Sequence, residues 1–463
     1  MTRRELSDWL SPVLVKEMRQ GLKSRMFTAA FLIVQAIMLC VFLVVLSQDT
    51  GQEMRESSTV MFWGFTVVML AVVMPAMALN SLATELKDKT FDLVLLTRLT
   101  PWRIVSGKWA SVVGQILLVA TGLLPYLVLR YYLGGVNLLV ELMLLPLLVL
   151  VAAALTALIV YASTYQSALA RLGVLAVQGM VFIAAVGTVS TIARGGLPGA
   201  GGSGLAGLEV LVFLAGVVAC VVLILRAAAT RIAPPAENHA AVKRGLAALL
   251  FLLGLVPMQS DLREVYVVAL GVVVGLVGLD ACSEPISASP SAYLPYARWP
   301  APGLKALLYP GWPGGLAFLA VLAALVAVRA VVLDGVSASD AAMAYLAAVA
   351  AVVVPLGLSR LDASGRRSVI GWSVGFHAVT LPVAMVAGRV AEGLGGDDET
   401  AAAIVAPLAG VVLSVGQELS GHETTVLVGM LAWLAFGALL LWGRGAAEVT
   451  VVSRTAARAR AEG

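Results

Sequence analysis

The chain has 463 residues, of which 60% are hydrophobic and only 13% charged, with a net charge of +4. A soluble chain keeps about a quarter of its residues charged to face water, so a water-soluble globule is excluded and lipid must be the solvent for most of the surface. Cys40, Cys220 and Cys282 lie far apart with no CxxC pair or Cys/His cluster, which argues against a disulfide framework or a zinc site.

The first apolar run, Phe27–Leu46, is long enough to cross about 30 Å of hydrocarbon. No small-x-small cleavage site follows it, since Ser47, Gln48 and Asp49 come next, so it reads as a retained span. Further runs follow at Val60–Leu79, Ala110–Leu129, Leu138–Val160, Leu172–Ile192 and Leu205–Leu225. Each is expected to be helical, because only a helix satisfies its own backbone in lipid. Flanking charge sets the direction. Arg3, Arg4, Lys16, Arg19, Lys23 and Arg25 precede the first run, and Lys87, Lys89, Arg98, Arg103 and Lys108 lie between the second and third. The loop 48–59 carries Asp49, Glu53 and Glu56 against Arg55 alone. Lysine and arginine accumulate on the cytoplasmic side, so the N-terminus and residues 81–108 are expected there.

Residues 231–245, with Pro234-Pro235, Lys243 and Arg244, read as a cytoplasmic hinge before a second hydrophobic half, 246–444. Its runs are Leu246–Met258, Val265–Leu279, Leu316–Leu333, Met343–Leu358, Val369–Ala387, Ala401–Val415 and Val426–Trp442. Between the second and third of these, Cys282–Gly315 is rich in proline and aromatic residues, as a segment at the membrane interface would be. Counting every run as a span would put Arg444, Arg454, Arg458 and Arg460 of the basic tail 445–463 outside. Making the short, alanine-rich run Ala401–Val415 re-entrant or interfacial removes the conflict. The expected fold is thus an all-α polytopic membrane protein of about twelve spans.

Two cytoplasmic segments carry more pattern. In residues 1–25, Ser11 can cap a helix whose first position suits Pro12. Leu14, Met18, Leu22 and Met26 then form an apolar stripe opposite Lys16, Arg19 and Lys23. This is an amphipathic helix along the inner membrane surface; an ordinary basic anchor would account for it equally. In the second segment, 83–108, Thr90 can cap a short helix with Phe91, Val94, Leu95 and Leu99 on one face. Thr100-Pro101 then starts a helix that nothing stops before the third span ends. A push on the short helix would pass directly to that span. A plain charged loop is the alternative.

The second segment resembles the coupling region of the ABC-2 type permeases. Glu85, Thr90-Phe91-Asp92, Leu95-Leu96, Pro101 and Gly107-Lys108 fall at places corresponding to that family's pattern. Lys89 stands where the family usually has glycine, Asp92 replaces a glutamate, and Pro101 falls late. Residues 11–17 with their trailing basic groups resemble the family's connecting helix. The resemblance covers roughly residues 8–230: a connecting helix at 1–25, then a six-span core at 26–230 with its coupling helix at 83–101.

What the resemblance implies is a permease subunit of an exporter in the bacterial inner membrane. Its coupling residues would be Glu85, Thr90, Phe91, Asp92, Leu95, Leu96 and Pro101, docked on a separate ATPase subunit. A second permease subunit, identical or not, would complete the assembly. No GxxxxGK[ST] loop occurs in the chain, so ATP would be bound by the partner. The chain itself is expected to hold no cofactor or metal, to be no enzyme and to take no nucleic acid. Within the spans the polar candidates are few: Asn80, Gln115, Glu141, Gln178 and His377, the last read as a packed, hydrogen-bonded histidine. Composition alone equally allows an ATP-independent secondary transporter or channel-like carrier, and the Glu85–Lys108 segment separates the two.

Overall fold

The computed structural model describes residues 12–46, 52–79, 100–133, 138–165, 167–176, 178, 179, 182, 205–233, 240–256, 275–287, 289–297, 306–333, 335–361, 369–393, 397–415 and 422–462. Among them no strand occurs, and eight helices are long and apolar enough to cross a membrane. The protein is an all-α polytopic membrane protein. The expected runs Leu172–Ile192 and Val265–Leu279 lie largely outside the described residues. Two compact units divide the chain: Met1–Gln166 with Val174–Ile232, and Ser167–Gly173 with Ala233–Gly463.

The first unit begins with the amphipathic helix Pro12–Leu22. It ends at Lys23-Ser24, and Ser24 caps the next helix by accepting a hydrogen bond from the Phe27 amide at 3.1 Å. That helix, Arg25–Leu46, is the first apolar span. Helix Gln52–Val68 follows and passes into a π-helical turn, Met69–Val73, before a final turn Met74–Ala76. Pro75 lies just after the π turn and has no amide to offer the preceding carbonyls. Widening the helix there is a known local answer to a broken bonding pattern.

Helix Pro101–Leu133 has 33 residues, about 50 Å at 1.5 Å per residue. It starts where the Thr100-Pro101 pair predicts: Pro101 occupies the first turn, and the Thr100 hydroxyl accepts from the Arg103 amide at 3.4 Å. Helices Leu138–Ser163 and Leu205–Ile232 complete this unit. Trp109 ties two of the three together by donating its indole hydrogen to the Ala153 carbonyl at 2.9 Å.

The second unit contains helices Ala240–Leu253, Trp312–Leu333, Ala338–Leu361, Val369–Gly393 and Glu423–Glu462. Ala338–Leu361 and Glu423–Glu462 pack through glycines: a Cβ on Gly357 would come within 2.6 Å of the Leu440 Cβ, and one on Gly437 within 2.7 Å of Val353 Cγ1. Small residues permit such close backbone approach where no hydrophobic drive between helices exists. The last helix does not stop at the membrane edge; its 40 residues carry the expected basic tail as a continuous helix. Ala456 and Ala459 of that extension pack on Ala292, Tyr293 and Tyr309.

The run 401–415 is broken. Asp397 caps helix Asp398–Val405 by accepting from the Thr400 amide at 3.1 Å, and a second helix, Pro407–Val415, follows. Ala406 between them is extended, φ −126° and ψ 113°, because the ring of Pro407 clashes with a helical preceding residue. The Trp433 indole donates to the Ile404 carbonyl, beside the break, at 2.8 Å. With 8 and 9 residues, neither piece reaches across about 30 Å of hydrocarbon.

Candidate functional site

In the first unit the amphipathic helix lies against the start of helix Pro101–Leu133. Glu17 meets Lys108 at 3.2 Å, with the lysine side chain 5% exposed and the carboxylate 20%. One turn on, Gly21 sits so close to Gln115 that a Cβ there would be 2.1 Å from its amide nitrogen; Met18 covers Gly114 in the same way. The apolar stripe read from the sequence therefore has a protein partner at Met18 and, through Glu17, a charged one. Lys108 closes the Gly107-Lys108 pair that the sequence singles out.

Of the expected coupling residues, Pro101 is buried at the start of the long helix. Glu85, Thr90, Phe91, Asp92, Leu95 and Leu96 lie outside the described residues.

The opposite end of the same unit holds a buried ion pair. Arg130, near the end of the long helix, reaches Glu141, near the start of helix Leu138–Ser163, at 2.8 Å. Its other terminal nitrogen donates to the Thr59 hydroxyl at 2.8 Å, and its guanidinium stands 4.6 Å from the Phe62 ring centre. Three helices are fastened there by one arginine. Burying charge near lipid is expensive unless the charges are paired.

The second unit carries a larger charged cluster at one end. Lys243 lies 2.7 Å from Glu284 and donates to Asp280 at 2.5 Å. Arg244 pairs with Glu284 at 2.7 Å and donates to the Tyr309 carbonyl at 2.9 Å and to the Leu307 carbonyl. Nearby, Arg360 pairs with Glu448 at 2.9 Å, and the Trp312 indole donates to the same carboxylate at 2.7 Å. Burial alone would lower the Lys243 ammonium, but the Asp280 and Glu284 carboxylates outweigh it and hold the group above its usual range. Cys282, in the midst of these charges, is pushed up to about 12, chiefly by burial.

Lys243 and Arg244, which the sequence reading places in the cytoplasmic hinge 231–245, form the basic side of this cluster. Both are buried, at 3% and 1% exposure, and both belong to the turns that open helix Ala240–Leu253. Asp280 lies in the last turn of a helix and Glu284 just beyond its end, so no local spacing announces them as the partners. His377 has the packed role read from the sequence, with Nε2 3.2 Å from the Ala351 carbonyl. No group of residues able to hold a metal ion occurs among the described residues. No protein-family model matches the chain, and neither a curated protein nor a solved structure matches it.

Proposed function

We propose that this chain is the membrane-embedded permease subunit of an ABC-type exporter, driven by ATP hydrolysis on a separate subunit. In this reading the N-terminus and tail are cytoplasmic, about twelve helices span the inner membrane, and two permease subunits sit on two ATPase domains. The observation that carries it is the joint at Glu17–Lys108. The amphipathic helix is fastened to the base of the third apolar helix, which begins at Thr100-Pro101 where the coupling segment 83–101 ends.

Mechanically, such a base is what a docking helix must act on. A displacement at Pro101 enters a single continuous helix of 33 residues, so it is delivered into the bilayer rather than absorbed in a loop. The amphipathic helix braces that base through Glu17 and the close Gly21–Gln115 contact. Leu95 and Leu96 supply the apolar centre of the docking surface, with Glu85 and Asp92 on its rim, as interfaces usually have.

The test is photocrosslinking from position 95 in native membranes, with position 55 as control. A soluble protein bearing a phosphate loop, captured from 95 and not from 55, is the expected result. With that ATPase in hand, Leu95→Asp should abolish stimulation of its hydrolysis by the reconstituted permease, and Glu85→Ala should weaken it less. Capture of no ATPase from position 95 would move the ATP-independent carrier ahead.

A further inference from the structure

At about 100° per residue, three strips run along helix Pro12–Leu22. Glu17, Met18 and Gly21 form one, and the long helix takes it up at Lys108, Gly114 and Gln115. Lys16, Arg19 and Gln20 lie on the far side, all exposed. Lys23, also exposed, continues that side, its amide still bonded to the Arg19 carbonyl at 3.3 Å. Leu22 falls between the two strips and is 38% exposed; Met26, at the start of the first span, is 73% exposed.

The far strip is basic with no compensation from its own helix. Glu17 is the one acid of that helix, and it is turned to Lys108 at 3.2 Å. Lys16, Arg19 and Lys23 are spaced by three and four residues, so their side chains are neighbours along one face. Like charges so placed repel, and an anionic surface relieves the repulsion.

Two spans fix the depth of this strip. Ser24 caps the first of them by accepting from the Phe27 amide. Its apolar stretch begins at Arg25, so Lys23 stands about 3 Å short of it. On the long helix, the contacts at Lys108 and Gln115 bracket Ala110, where the apolar run Ala110–Leu129 opens. The amphipathic helix therefore lies in the headgroup layer, where basic residues draw anionic lipid.

We propose that this face binds anionic phospholipid. The phosphates pair with Lys16, Arg19 and Lys23, and the upper methylenes of the acyl chains lie on Leu22 and Met26. The helix that holds the lipid on one strip holds the base of the long helix on another, so lipid bound here steadies the Glu17–Lys108 joint. A free phosphate could meet the same cations but would leave Leu22 and Met26 bare. The proposal rests on the membrane fold alone and stands whether or not an ATPase drives the chain.

The full chain, in nanodiscs of phosphatidylcholine with or without phosphatidylglycerol, provides the test, with lipid retention read by native mass spectrometry. The wild type should retain phosphatidylglycerol over phosphatidylcholine. Lys16→Gln/Arg19→Gln/Lys23→Gln should weaken that preference by roughly fivefold per residue, as each basic group near an anionic surface contributes. Arg454→Gln/Arg458→Gln/Arg460→Gln removes the same charge from exposed positions beyond the last apolar span, and should leave the preference intact. A photoactivatable phosphatidylglycerol should label the wild type within residues 14–26. Equal preference in the two triple variants overturns the proposal, and so does labelling that falls outside this segment. Loss of the preference in inorganic phosphate at constant ionic strength overturns it too, because the face would then be a simple anion site. So does capture of a soluble protein by a crosslinker at position 20 with no lipid labelled.

Discussion

Glu17 and Lys108, 91 positions apart in the sequence, meet at 3.2 Å and join the amphipathic helix to the base of the longest helix of the first unit. Removing Glu17 takes this partner from the buried Lys108, and removing Lys108 takes it from the half-buried Glu17. Glu17→Ala is expected to destabilise this unit by about 2 kcal/mol, as loss of a charge-assisted hydrogen bond does. Exchanging the two charges, Glu17→Lys with Lys108→Glu, should recover most of the loss, because the coupling belongs to the pair. Thermal unfolding of the purified chain measures both. Additive losses in the double variant would show that the two residues do not act together.

Arg244 answers a different question, that of a charge with no water to retreat to. Arg244→Met takes from Glu284 one of its two basic partners, leaves it Lys243, and removes the donor to the Leu307 and Tyr309 carbonyls; it should cost about 3 kcal/mol. The double variant Arg244→Met/Glu284→Met should cost less than Arg244→Met alone, since it also removes the buried carboxylate left short of one partner and keeps Lys243–Asp280. Denaturant midpoints in detergent rank the two. The opposite ranking would mean that packing rather than charge dominates this end of the unit.

Lys243 predicts a pH dependence. Its carboxylate partners hold its folded-state value above that of an unfolded lysine. The stabilisation is therefore complete below the unfolded value and is lost as pH rises through the folded one. The stability difference between wild type and Lys243→Met should be constant near neutrality and shrink as pH rises above the unfolded lysine value, about 10.4. Unfolding midpoints taken across that range test it. A difference that grows with pH would contradict the assignment.

Gly437 predicts a steric effect. A Cβ there would lie 2.7 Å from Val353 Cγ1 and 3.3 Å from the Val353 carbonyl carbon, and the backbone of a packed helix has no room to yield. Gly437→Leu should separate helix Ala338–Leu361 from the last helix and cost at least the 1–3 kcal/mol of ordinary overpacking. Gly375, where a Cβ would meet nothing within 4 Å, supplies the control in Gly375→Ala. Proteolysis of membranes carrying each variant gives the comparison.

Hydrophobic period and cap chemistry made most helices legible. Thr100-Pro101 starts the long helix as its cap-plus-proline pattern dictates, and Leu205–Ile232 extends the run that ends at Leu225 by two turns that carry Arg226 and Arg231. The break at Ala406-Pro407 was legible only as a conflict of charge sidedness; the proline that causes it sits in the run itself. The charged cluster was not legible. Lys243 and Arg244 look like any flanking basic pair, and nothing local to them announces Asp280 and Glu284, roughly forty positions on. Long-range pairing of this kind depends on which helix ends share a face, and periodicity within one helix carries no such information. The apolar stripe Leu14-Met18-Leu22 was read as facing lipid, yet Met18 covers Gly114, because a stripe records that a face is buried and not what buries it.

The last helix runs unbroken for 40 residues, about 60 Å, and only its first half is apolar enough to lie in the bilayer. The remainder, from Trp442 to Glu462, stands about 30 Å beyond that part. Ala456 and Ala459 seat it on Ala292, Tyr293 and Tyr309, so helix and seat together form a lever arm whose fulcrum is where Arg360 grips Glu448. A tilt of about 10° in the intramembrane part, too small to open a gap between packed helices, swings the tip by about 4 Å over the roughly 21 Å from Glu448 to Glu462. Motion in the bilayer is thereby displayed, enlarged, at the C-terminal tip.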